Sequence, residues 1–213
     1  VFRLDGNTFT RQLTVPLNYV KGRTAIPCSD GGVNTKWNPW EDVFANLYKC
    51  PQASPPAAME AQPLLADIEF DVDGAMILGF RDRSGEQVGT NNYSPVATDT
   101  ARYTIFVGGD ILRACLDAAG NYALESNGSC GGVTTTGANN RQGPNGGEFY
   151  TGDLVAGYHE EDMLGGLALL PGRGEVVATA MDPIGIWTGG LRKLSNSTGA
   201  NKVGYIFTGQ FPY

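Results

Sequence analysis

The chain has 213 residues, with 15 Lys plus Arg against 22 Asp plus Glu, one histidine and a formal charge of −7. That balance excludes nucleic acid as a main partner, because phosphate binding needs a basic face. Thirty glycines, with charged residues at only 17%, describe a turn-rich β protein, and 41% hydrophobic residues supply a core that excludes global disorder.

No apolar run approaches the roughly eighteen residues of a membrane span, and the opening Val1-Phe2-Arg3-Leu4-Asp5-Gly6 is not a signal peptide. The alternating start and the missing initiator methionine lead us to expect a portion of a longer protein. Residues 1–4 turn at Asp5-Gly6-Asn7 into Phe9 and 13–15, a first hairpin. Residues 21–63 carry six prolines and read as surface loop, with a short helical turn at 40–48. Residues 67–71 alternate polar and apolar, Asp73-Gly74 makes a turn, and 75–80 run back as a largely apolar strand ending near Asp82. After an insertion at 83–107, residues 109–115 pass through 119–121 to 122–124 as a hairpin of the first kind again. A second loop, 131–148, is almost all small or polar, and a helical turn is expected at 158–164. Residues 166–170, the turn 171–174 and 175–181 then repeat the Asp73-Gly74 design, ending at Asp182, and 190–194 lead through 197–199 to 203–207.

The two hairpin kinds alternate along the chain, which describes repeated four-stranded antiparallel units at about 66–125 and 165–208. Such units predict an all-β fold, a partial β-propeller-like array with long loops; a β-sandwich reads similarly and is the alternative. Two units and a two-strand piece fall short of the 4–8 blades of a closed ring, so Val1, Phe2, Ile206 and Phe207 are expected to face other subunits or the rest of a parent chain.

Cys28, Cys50, Cys115 and Cys130 are even in number and contain no C-x-x-C pair. Local pairing, 28 with 50 and 115 with 130, is the simplest reading and implies an oxidising compartment, while four buried thiols in a cytosolic protein are the alternative. The acidic balance and the N-x-S/T triplets at Asn92, Asn127 and Asn196 agree with a secreted or cell-surface chain.

Catalytic signatures are scarce. His159 is the sole histidine, and its neighbours Glu160, Glu161 and Asp162 read as an exposed acidic loop. No G-x-S-x-G, H-E-x-x-H or Walker motif occurs, so no catalytic residue is assigned. Asp71 and Asp73, before Gly74, have the look of a calcium-loop fragment without its distal glutamate, and they are the calcium candidates; no other cofactor is expected. Glu69, Asp71, Asp82 and Asp110 are the carboxylates from which a glycosidase pair would be drawn. Trp37 and Trp40 are the candidate ligand platform, for a surface glycan or a protein ligand, or else staples that hold a long loop to the core.

Four motifs, 67–83, 108–115, Gly146-Gly147-Glu148-Phe149-Tyr150-Thr151-Gly152-Asp153 and 165–172, carry a family likeness. Through most of residues 1–208 the chain resembles the propeller-like region near the start of large secreted bacterial surface proteins, many of which continue into B-type repeats of the serine-aspartate adhesin kind. That resemblance implies a cell-surface setting and structural or adhesive work without catalysis. A secreted glycan-acting enzyme or a carbohydrate-binding module is the competing expectation.

Overall fold

The computed structural model describes residues 1–24, 35–47, 49–50, 57–58, 60–105, 107–154, 160–180 and 189–206, with only the backbone described at 57–58 and 203–206. The fold is all-β, with 41% of the described residues in strands and 7% in helix. It opens with the hairpin β1 (Phe2–Asp5) and β2 (Thr8–Arg11), followed by the short β3 (Lys49–Cys50) and β4 (Ala57–Ala58). The long pair β5 (Pro63–Phe70) and β6 (Met76–Asp82) leads into helix α1 (Arg83–Val88), and then come β7 (Asn92–Tyr93) and β8 (Arg102–Ile105). Strands β9 (Asp110–Leu116) and β10 (Tyr122–Leu124) precede the small hairpin β11 (Ser129–Cys130) and β12 (Val133–Thr134). The chain ends in a meander, β13 (Met163–Leu169), β14 (Glu175–Ala180), β15 (Gly190–Ser195) and β16 (Asn201–Ile206).

Two four-stranded antiparallel sheets form the centre, one in the order β10-β9-β6-β5 and one in the order β13-β14-β15-β16. The near-continuous apolar run of β6 follows from burial on both faces. Ile77 and, on β9, Ile111 face Met163, Val176, Ala178 and Leu194 of the second sheet. Met76, Leu78, Phe80 and Leu112 face the other way, under Leu13, Tyr19 and Trp37 of the N-terminal segment. The sheets approach closely where glycine permits it. Gly109 donates to the Met163 carbonyl at 3.0 Å, and a Cβ on Gly109 would overlap that oxygen. Gly165, at φ +77°, sits in the irregularity between Met163 and Leu167 where β13 slips against β14.

The two central sheets are the four-stranded antiparallel units expected at about 66–125 and 165–208, each a meander in chain order. The third four-stranded sheet, β3-β4-β8-β7, contains a parallel β4–β8 pair, whereas a propeller blade is an antiparallel meander. The other two sheets are two-stranded hairpins, one of them the expected N-terminal piece β1-β2, so among the described residues two like units are present and a propeller is not shown. Helix α1 was not expected within the 83–107 insertion. Its cause is Asp82, whose carboxylate accepts from the Ser84 amide at 3.0 Å as an N-cap. The turn expected at 40–48 appears as a 3₁₀ turn over Phe44–Asn46, whereas Met163 and Leu164, expected in a helical turn, begin a strand.

Candidate metal centre

Three carboxylates converge on one point beneath the N-terminal segment. Asp110 starts β9, while Asp153 and Glu161 lie on the connection before β13, and one oxygen from each falls within 4.8 Å of the others. All three are enclosed, at 3%, 1% and 0% exposure. Asp110 accepts from the Tyr19 hydroxyl, which itself accepts from Trp37 Nε1 at 3.1 Å. Both oxygens of Asp153 and both of Glu161 lack any hydrogen-bond donor. Asp153 and Glu161 face each other closely enough for one to donate to the other when it holds a proton.

The local fold brings these groups together through loop contacts. Asp162 donates its amide to the Asp153 carbonyl at 3.0 Å, Glu160 donates to the Arg23 carbonyl at 2.9 Å, and the Arg23 amide returns a bond to Glu160 Oε2 at 2.8 Å. Gly22, at φ +119°, passes so near that a Cβ would lie 2.8 Å from Glu161 Oε1, and only glycine leaves that space. A Cβ on Gly108 would meet Thr24 Oγ1 at 2.7 Å and Lys21 Nζ at 2.9 Å, both of which are buried without a hydrogen-bond partner. The Lys21 ammonium stands 4.9 Å from the centroid of the Trp37 ring.

Two further buried acids, Glu125 and Glu148, add to the negative field. Burial, then the neighbouring charges of Asp153, Asp110 and Glu125, hold Glu148 well above the usual carboxylate range. Burial and the charges of Asp110 and Asp162 do the same to Asp153, and burial with Asp153 and Asp110 does so to Glu161, where Lys21 pulls the other way. Burial pushes Glu125 up to about 8. Five carboxyls around one ammonium cannot all ionise in a dry interior unless further positive charge arrives, so the cluster must hold protons or a cation. The donor set is oxygen alone. Oxygens 2.3–2.6 Å from a calcium ion lie up to about 5 Å apart across it, so the 4.8 Å spread fits a hard divalent cation.

The residues singled out from sequence have other surroundings. Asp71 and Asp73 both point at Arg113, which donates to them at 2.9 and 2.8 Å, and Asn196 Nδ2 gives Asp71 another bond at 2.8 Å. A guanidinium therefore holds the place a calcium ion would take in that turn. Asp82 serves as the cap of α1, and Glu69 is half-buried on β5, so of the four glycosidase candidates Asp110 alone belongs to the cluster. Trp37 is buried and tilted on Phe80 as a staple, whereas Trp40 is exposed under the Arg83 guanidinium and donates to the Pro63 carbonyl at 2.8 Å. Glu161 and Asp162, read as an exposed acidic loop, are wholly buried, because Asp162 pairs with Arg192 and Glu161 lies under Gly22. His159 lies outside the described residues. Cys115 and Cys130 are joined, with Cα atoms 5.7 Å apart. Cys50 is also disulfide-bonded, and Cys28 lies outside the described residues.

The chain is similar to three proteins of Dictyostelium discoideum. Colossin-B is 32% identical over 199 residues, covering 85% of this chain and 5% of that protein. Colossin-A is 32% identical over 199 residues, covering 90% of this chain and 2% of that protein. Colossin-C is 27% identical over 207 residues, covering 94% of this chain and 18% of that protein. The chain thus spans less than a fifth of each of these curated relatives. No family model and no solved structure matches it. These relatives are eukaryotic, which overturns the bacterial surface-protein and adhesin reading. The motifs behind that reading are alternating strands and glycine turns, which any antiparallel sheet uses and which carry no lineage.

Proposed function

We propose that this chain is a β module that takes up one divalent cation, with calcium the best fit, between Asp110, Asp153 and Glu161. The observation that carries the reading is the pair Asp153 and Glu161, buried with four carboxylate oxygens that no donor satisfies. The ion's work is structural. It neutralises the cluster and fastens the 21–24 segment, Asp153 and Glu161 to the start of β9. Enclosure at 3% exposure or less supports a structural role for the site. The Cys115–Cys130 link supports an oxidising, extracellular setting. Among the described residues no helix is long and apolar enough to cross a membrane.

Titration of chelator-treated protein with calcium and magnesium, by calorimetry and by thermal unfolding, tests the reading. One calcium ion per chain with a raised unfolding temperature is expected, and Asp153→Asn should weaken binding at least tenfold, about 1.4 kcal/mol. A chain that binds neither ion and unfolds at the same temperature with and without them would refute it.

A further inference from the structure

The three N-x-S/T triplets, which the cation reading leaves unused, are not equivalent in the fold. We propose that Asn92 is the N-glycan acceptor of this chain and that its glycan covers the edge strand β7. An N-linked glycan replaces one hydrogen of the side-chain amide, so the acceptor needs open space on the Nδ2 side and can keep only one donated bond.

Asn92 meets both conditions. It is exposed, with its neighbour Tyr93 also exposed, and its Nδ2 donates one bond, to the Val88 carbonyl, which the remaining N–H would keep. It borders a groove of about 270 Å³ whose lining mixes Glu41, Asp42 and Gln87 with Phe44, Leu47 and Val88, with room for the first sugars.

Asn196 fails on space. It is 8% exposed, its Nδ2 donates to Asp71 at 2.8 Å, and its Oδ1 accepts from the Tyr150 hydroxyl at 3.0 Å. A sugar there would have to enter the Arg113–Asp71 ion pair. Asn127 is half-buried at φ +49°, and both ends of its amide are engaged by Asn139, Nδ2 to Oδ1 at 3.1 Å and Oδ1 from the backbone N–H at 2.8 Å. Its Oδ1 also rests against Gly147.

The position gives the modification a purpose. In the order β3-β4-β8-β7, strand β7 is a sheet edge, whose unpaired backbone groups can recruit a strand from another chain. A bulky hydrophilic glycan beside Tyr93 blocks that approach. The inference does not depend on the cation site. It requires passage through the secretory pathway, where the disulfides would also form.

The test is secretion of the chain from a eukaryotic host, followed by peptide-N-glycosidase digestion in ¹⁸O water and peptide mapping. The ¹⁸O-labelled aspartate is expected at Asn92, with Asn127 and Asn196 unlabelled in the secreted pool. Ser94→Ala, which removes the triplet while keeping Asn92 and its bond to Val88, should abolish the glycan. If little chain is secreted, the lumenal pool is mapped in the same way. An unlabelled Asn92 in either pool, with the glycan elsewhere or absent, overturns the proposal.

Discussion

Glu125 shows what the buried acids cost the protein without a cation. It accepts from the amides of Arg113 and Phe149, which favour its charged form, yet burial wins and pushes it up to about 8 from an ordinary 4.5. A carboxyl raised on folding contributes stability fully below pH 4.5 and loses it as pH rises through about 8. Cation-free protein should therefore lose a few kcal/mol between pH 5 and pH 8, on the order of magnitude set by the linkage relation. Urea unfolding at a series of pH values measures the slope, and Glu125→Gln should flatten it. Lys21 makes the opposite test of charge. Its ammonium shares the field of Asp110 and Glu161 with the ion, so Lys21→Met should tighten calcium binding about tenfold. A Lys21→Met chain that unfolds whether or not calcium is present would instead make the ammonium itself the counter-charge. None of this was legible from spacing. Asp71-Val72-Asp73-Gly74 has the local pattern of a calcium loop, but Arg113, far along the chain, claims both acids, whereas Asp110, Asp153 and Glu161 share no motif and meet through tertiary closure alone. The traces in the sequence are separate ones: Asp110 among the four candidate carboxylates, Glu161 in the acidic stretch after His159, and Asp153 at the end of a glycine-rich motif.

At the level of elements, strand identity was readable because β6 and β9 are apolar on both faces and the hairpin turns carry Asp-Gly or Gly-rich punctuation. Helix α1 was not, since its six residues are too short to display a period and its start depends on Asp82, which also accepts from the Gln62 amide at 2.9 Å. The contact between sheets was also invisible, although its determinants are single glycines. Gly109 donates to Met163 across the junction, and a methyl group there would overlap both the Met163 and Phe80 carbonyls. Backbone oxygens cannot rotate away as a side chain can. Gly109→Ala should thus cost about 3 kcal/mol or more, at the upper end of overpacking penalties. The shift of the urea midpoint measures it, and a loss below about 0.5 kcal/mol would mean that the sheets separate without penalty.

Across the whole molecule, local sequence signals define hairpins and the two four-stranded units but do not say how sheets face one another. A sandwich and a propeller use the same hairpins, and the difference lies in pairings such as the parallel β4–β8 contact and in the core shared by Ile77, Ile111, Val176 and Leu194. Two ties then close this arrangement from opposite ends of β9. Asp110, at its start, joins the cation cluster, and Cys115, five residues on, is linked to Cys130. Five residues of strand span about 17 Å, beyond the 7–10 Å within which perturbations couple. The disulfide closes a short loop worth about 3 kcal/mol in the chain-entropy model, and it acts mainly on the unfolded chain, whereas the ion binds only the assembled cluster. Removing both should therefore cost the sum of removing each, to within about 0.5 kcal/mol. Denaturant unfolding of oxidised and Cys115→Ala/Cys130→Ala chains, each with calcium and with chelator, completes the cycle. An interaction energy above about 1 kcal/mol would show that β9 transmits strain between its two ends, and the cluster and the disulfide would then have to be treated as a single stabilising unit.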